Sequence, residues 1–193
     1  MVTEKITAVI LAGGRASRMG GNDKGLLPFK DRPLIEHILS AIEGKVDNII
    51  INANRNLDQY RRYGYPVVSD EIADFAGPLA GILASMRAAT TDAIITLPCD
   101  TPFISSDYIE RMHHASTGAS GAIACHDGEI EPLFVLLPCR LEISLSEYLA
   151  SGRRKARDWM ASIDSAEVDF SDQIEMFKNF NTPDELNSTG AAS

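Results

Sequence analysis

The chain has 193 residues, of which 45% are hydrophobic, enough for one well-formed core, so a single domain is expected. A formal net charge of −9 leaves no extended basic face and excludes nucleic acid or an anionic membrane surface as the partner. No apolar run approaches the roughly 18 residues of a membrane-spanning helix. Met1 to Lys5 lead straight into an apolar strand without the features of an export signal, and Cys99, Cys125 and Cys139 form no C-x-x-C pair. Both point to a cytoplasmic protein with reduced, buried thiols.

Ile6 to Ile10 form a β-branched run that predicts a buried parallel strand, with the loop Leu11-Ala12-Gly13-Gly14 at its carboxyl end. After the loop Pro28 and Pro33 punctuate the chain. Leu34, Ile35, Ile38, Leu39 and Ile42 recur at helical spacing, predicting a helix over 33–43 that Gly44 ends. Strands follow at 47–52 and, beyond a short helix at 56–63, at 65–69. They deliver Asn52 and Asp70 to the rim of the first loop. Gly77-Pro78-Leu79-Ala80-Gly81 opens a helix through Leu83 and Met86, and 92–97 is a fourth strand ending in Pro98-Cys99-Asp100-Thr101-Pro102. This alternation predicts an α/β fold of Rossmann-like type, a mostly parallel sheet with helices on both faces.

Beyond Ser105-Ser106-Asp107, which starts a helix to about His114, the pattern changes. Residues 122–125 and 133–137 read as strands joined by an acidic turn, giving a mixed C-terminal edge. A helix at 140–150 follows, then the basic run Arg153-Arg154-Lys155-Ala156-Arg157 opening another helix with Trp159. A last strand is expected at 168–170. Residues 1–187 make up the domain, and 188–193 form a frayed tail.

The chemistry gathers at the first loop. Adjacent glycines let the backbone come close to a phosphate, and its amides can point at one anion. Arg15, Arg18, Lys24, Lys30 and Arg32 stand against Asp23 and Asp31 alone, so this stretch is basic within an acidic chain. A P-loop is excluded because Gly25 follows Lys24, and the dinucleotide fingerprint is excluded by the glycine spacing. Gly13, Gly14, Arg18 and Lys24 are the candidate phosphate cradle. Asp100, at a strand end between Pro98 and Pro102, is a candidate magnesium ligand, since magnesium takes few protein carboxylates and completes its shell with phosphates and water. A turn or helix-capping role for Asp100 stands beside that reading. His37, His113, His114 and His126 lack metal-ligand spacing. The basic run at 153–157 reads as a solvated helix face or a hold on a phosphate, and Trp159 as core or as a wall of the site.

The pattern L-A-G-G-x-x-x-R-M-G-G-x-D-K strongly resembles the signature of the molybdenum cofactor guanylyltransferases, nucleotidyltransferases that join an NTP to a phosphate ester. Asn52-Ala53-Asn54, Asp70, Gly77 to Gly81, Cys99-Asp100-Thr101-Pro102 and Asn181-Thr182-Pro183-Asp184-Glu185-Leu186 follow in that family's order. The resemblance implies transfer of GMP from GTP to molybdopterin with magnesium. Leu11, Ala12 and Gly13 would contact GTP through backbone, Lys24 its phosphates, Asn52 and Asp70 the nucleoside, and Asp100 the metal. Asn179 and Asn181 would line the molybdopterin side. It also implies a monomer in transient contact with a molybdenum-inserting protein and recipient molybdoenzymes. Glu131 beside Pro132 departs from the family's pattern and is expected to point to solvent. Cytidylyl transfer and sugar-1-phosphate nucleotidyl transfer are the alternative reactions, and a nucleotide or pterin carrier is the alternative without catalysis. Leu11 to Gly14 favour guanine over cytosine by that resemblance.

Overall fold

The computed structural model describes residues 4–13, 23–71 and 77–180. Nine strands and six α-helices lie among them, with short 3-10 turns between. The central strand is β1 (Ile6–Leu11), every residue of which is buried. It pairs in parallel with β4 (Asn48–Asn52) on one side and β6 (Ala93–Pro98) on the other, and β4 continues to β5 (Val67–Val68). Beyond β6 the sheet turns antiparallel through β8 (Glu129–Pro138) and β7 (Ala122–His126), and β9 (Ala166–Asp169) closes the edge parallel to β7. The order β5-β4-β1-β6-β8-β7-β9 puts a parallel half and a mixed half in one seven-stranded sheet.

Burial on both faces explains why β1 is apolar apart from Thr7, whose hydroxyl pairs with that of Thr91 at 2.7 Å, because successive side chains enter different cores. Ala8 and Ile10 face α1 (Leu34–Ile42) and α4 (Tyr108–Ser116), while Val9 and Leu11 face α3 (Pro78–Ala88), α5 (Glu142–Ala150) and α6 (Ala156–Met160). In α1 the buried residues Leu34, Ile35, Ile38, Leu39 and Ile42 lie on one face, as the spacing requires. Gly44 follows with φ +75°, a left-handed conformation suited to ending a helix. In α3 every residue from Leu79 to Met86 is buried, since the sheet covers one side and α5 packs over another. Trp159 is core.

The mixed edge agrees with expectation, but several bounds move. Pro28–Phe29 (β2) and Arg32–Pro33 (β3) form a two-residue antiparallel hairpin, too short for any periodicity to announce. α4 begins at Tyr108 rather than near Ser105. β8 starts at Glu129, runs through Pro132 and meets β7 at Asp127-Gly128, both with positive φ, as a tight hairpin turn demands. Pro132 is tolerated because the β7–β8 register shifts between Ile123 and Cys125, so the missing amide falls at the irregularity. β9 lies two residues earlier than expected, with only Val168 buried, and α6 begins after most of the basic run, at Ala156. Glu131 does not point to solvent: its Oε1 lies 3.0 Å from His126 Nε2, and that ring stacks on Phe177.

Where β6 and β8 stop pairing at Ile95 and Leu136, a hydroxyl takes over. Thr96 Oγ1 donates to Leu133 O at 2.6 Å and accepts from Val135 N–H at 3.3 Å. The sheet opens here toward the carboxyl ends of the parallel strands. Thr96→Val keeps the shape but leaves both backbone groups without that partner, and a loss of about 1–3 kcal/mol is expected in urea unfolding.

Candidate active site

The connections from β1 and β6 leave toward opposite ends of the sheet, and at such a switch point α/β folds bind ligands. A cavity of about 390 Å³ occupies that place. Leu11, Ala12, Gly13, Lys24, Asn52, Asp70 and Asp100, chosen from sequence positions up to 89 apart, all line it. Gly14, Arg18 and Asn181 lie outside the described residues, as does the tail 188–193.

Backbone bonds fix the rim. Ala12 N–H donates to Asn52 O at 2.8 Å and Cys99 N–H to Leu11 O at 3.1 Å, so the ladders of the sheet continue past the strands into the loops. Glycines then let the loops close over side chains. A Cβ on Gly13 would lie 3.0 Å from Asn52 Oδ1 and 2.9 Å from Asn54 Nδ2, and one on Gly81 would lie 2.2 Å from Asn52 Oδ1. No other residue fits at Gly81 without displacing Asn52, which is itself 2% exposed. Gly77, with φ +78°, turns the chain into α3, whose first residue Pro78 lacks the amide hydrogen that would be unpaired there. Gly77, Pro78 and Gly81 line the cavity, so the positive end of the α3 dipole faces it and favours an anion.

Opposite, Lys24 Nζ lies 2.8 Å from Asp100 Oδ2, with side-chain exposures of 28% and 15%. Lys24 opens a single 3-10 turn, Lys24–Leu26, which rests on buried groups. Asp23, 7% exposed, accepts from Tyr60 Oη at 2.5 Å and from Asn56 Nδ2 at 3.2 Å. A Cβ on Gly25 would lie 2.7 Å from Tyr60 Oη and 3.2 Å from Cys99 Cβ, so glycine is needed for the turn to lie flat here. Burial holds the Tyr60 hydroxyl above the ordinary phenol range, with the Cys99 and Asp23 charges adding to it. Burial likewise pushes the Cys99 thiol up, helped by Asp100 and Asp23 and opposed by Lys24.

Asp100 also receives the C-terminal segment. Phe180 N–H donates to Asp100 O at 3.1 Å, and the Phe180 ring packs with Phe29 and Phe103 at centroid distances of 5.1 and 5.9 Å. Asn179, exposed, immediately precedes this contact and does not itself line the cavity. Asp23, Asn54, Tyr60 and Arg55, which also lines the cavity, were not singled out in the sequence. Asp23 stood in the G-G-x-D-K string and Asn54 in N-A-N, so motif membership was the available signal for both. For Tyr60 there was none.

The MobA-like NTP transferase domain family matches residues 8–168. The chain belongs to this family. A molybdenum cofactor guanylyltransferase of Shewanella loihica is 42% identical over 186 residues, covering 95% of each chain. One from Yersinia pestis is 42% identical over 178 residues, covering 92% of this chain and 91% of its own. The crystal structure of a molybdopterin-guanine dinucleotide biosynthesis protein A from Archaeoglobus fulgidus superposes with a TM-score of 0.76 over 96% of this chain and 97% of that one. Its 22% identity makes it a match of fold. As a MobA-like NTP transferase the chain is a nucleotidyltransferase, and among its described residues no helix is long and apolar enough to cross a membrane.

The raised groups set an alkaline limit. Cys99, Tyr60 and Tyr108, whose burial raises it too, keep their protons in the folded state above the pH at which the unfolded chain releases them. Stability is therefore full below the ordinary thiol value of about 8.5 and falls as pH rises past it and past the phenol value of about 10. The thermal midpoint measured from pH 7 to 11 should decline over that window, and native Cys99 should resist iodoacetamide at pH 8 while the denatured chain reacts.

Proposed function

We propose that this chain transfers GMP from GTP to the terminal phosphate of molybdopterin, forming the molybdopterin guanine dinucleotide and releasing pyrophosphate. The observation that carries this reading is the Lys24–Asp100 pair at one wall of the cavity, in a chain 42% identical to named guanylyltransferases over nearly its whole length. In the reaction an oxygen of the acceptor phosphate bonds to the α-phosphorus of GTP as the bond to the bridging oxygen breaks. The nucleophile is already ionised, so no general base is needed. Catalysis is positioning and the offsetting of charge.

The lining residues suit those tasks. The backbone of Leu11, Ala12 and Gly13 runs along the nucleotide, Lys24 holds its phosphates, and Asn52 and Asp70 hold the nucleoside. Gly14 and Arg18 complete the cradle. Asn179 and Asn181 take the molybdopterin side, consistent with Phe180 lying against the Asp100 backbone. The donor set fits magnesium: Asp100 brings one carboxylate with an oxygen beyond the one bonded to Lys24, and no group of three acidic, histidine or cysteine side chains forms a cage among the described residues. Such a set matches a cation held mainly by phosphates and water. Magnesium, bound by Asp100, would offset charge on the reacting phosphates. Lys24 is held ready by the same carboxylate until a triphosphate arrives. The enzyme acts in the cytoplasm as a monomer, with transient contacts to the protein that inserts molybdenum and to recipient molybdoenzymes or their chaperones.

One reaction tests this: molybdopterin, magnesium and equal GTP, CTP, ATP and UTP, with the product mass recorded. A guanine dinucleotide alone is expected; a cytosine product would overturn the base assignment, and no dinucleotide would leave a carrier. Asp100→Ala or EDTA should reduce turnover about a thousand-fold, and Lys24→Ala about a hundred-fold with weaker GTP binding, the range seen when charge-stabilising groups are removed. Wild-type rates in either variant would remove that residue from its role.

A further inference from the structure

The carboxyl ends of β4 and β5 meet in a network whose chemistry fixes the orientation of two amides. Asn52 Nδ2 lies 3.2 Å from Val68 O and 2.9 Å from Asp70 Oδ1. Both partners are acceptors, so the NH₂ end must face them and both its hydrogens are used. Asn52 keeps its Oδ1, which fills the space left by the absent Cβ atoms of Gly13 and Gly81 on the cavity wall. Asn54 is oriented by the same logic. Its Nδ2 donates to Asp70 Oδ2 at 2.8 Å and to Gly13 O at 3.3 Å, and its Oδ1 accepts from Asp70 N–H at 2.9 Å.

Asn54 is exposed, yet both ends of its amide are engaged with neighbours. It ties the first loop to the β5 loop and does not line the cavity itself. Asp70 is thereby held through both carboxylate oxygens and its amide, in one orientation. Each of those oxygens retains a further lone pair. The wall made by Asn52 Oδ1 and the Asp70 carboxylate carries acceptors only.

We propose that Asn54 is a positioning residue that holds Asp70 so that this wall recognises two adjacent hydrogen-bond donors on the nucleoside. This rests on the GTP reading above. Guanine offers such a pair in N1–H and N2–H, and ribose another in its 2′ and 3′ hydroxyls. Where the base is what the wall reads, cytosine is refused, since it sets the acceptors N3 and O2 along the equivalent edge against the acceptors of the wall. Leaving buried polar groups unpaired discriminates strongly.

Calorimetric titration with GTP, ITP and 2′-deoxyGTP tests the proposal on wild type, Asn54→Ala, Asn54→Asp and Asp70→Ala, with and without Asn54→Ala. Wild type should bind GTP, and the analogue missing a recognised donor should bind about ten-fold more weakly, ITP if the base is read and 2′-deoxyGTP if the ribose is. Asn54→Ala should weaken GTP by a similar factor while that analogue loses less, and in steady-state turnover its loss in KM should exceed that in kcat. Asn54→Asp, which turns a carboxylate oxygen toward Asp70, should lose more than alanine. In the Asp70→Ala background the Asn54 change should cost nothing further. Equal losses for all three nucleotides, or an undiminished loss without Asp70, would reduce Asn54 to a structural role and overturn the proposal. Unchanged GTP binding in Asn54→Ala would overturn it too. Failure of wild type to bind GTP would overturn the GTP reading itself and is seen before any variant is made.

Discussion

The 2.8 Å contact between Lys24 and Asp100 joins two segments that the sheet alone leaves unconnected. Asp100 follows β6 directly, so its place is set by the strand. Lys24 has no such support, and its turn is held from below by Asp23 on Tyr60 and Asn56, with Gly25 flat against Tyr60 and Cys99. A partly buried ion pair adds little net stability by itself, because desolvation of both groups offsets their attraction. Its importance lies in keeping a cation and a carboxylate together at one wall of the cavity, where the proposed reaction would place phosphates. The amino-terminal end of α3 adds positive potential there, in a chain of net charge −9.

The opposite wall is built on different principles. Around Asn52 the contacts are neutral or involve a single carboxylate, and specificity comes from which atoms face outward. That depends on close approach: Gly13 and Gly81 bring two backbones against one buried amide. The cavity thus has a charged side, Lys24 with Asp100, and a hydrogen-bonding side of acceptors from Asn52 and Asp70 suited to donors. Cys99 lies between as an inert apolar surface, its thiol kept protonated by burial.

Much of this was legible in the sequence, for physical reasons. A strand buried on both faces reads as a nearly continuous apolar run, so β1, β4 and β6 were plain, and their carboxyl ends located Leu11 to Gly13, Asn52 and Asp100. Asp70 followed from the strand before it. What stayed hidden depends on contacts rather than periods. The β2–β3 hairpin is two residues a side, and Pro132 disguised the start of β8 because the irregularity that accommodates it exists only in the pairing with β7. Glu131 looked misplaced because its partner, His126, lies across a hairpin turn and became visible only with the turn. Tyr60 lay among the charges of a short helix, and nothing in its spacing tells a buried hydroxyl on Asp23 from a surface tyrosine.

The aromatic trio of Phe29, Phe103 and Phe180 belongs to neither main core, yet it gathers the chain after Lys24, the chain after Asp100 and the chain carrying Asn179. These are the segments assigned to the triphosphate, the metal and the pterin. Because one small apolar cluster anchors all three, the proposed donor and acceptor half-sites would share a support and would not be independently tunable. Sequence drift in that cluster would make affinity for the two substrates vary together, so a lineage adapting to a new acceptor would have to change residues outside it.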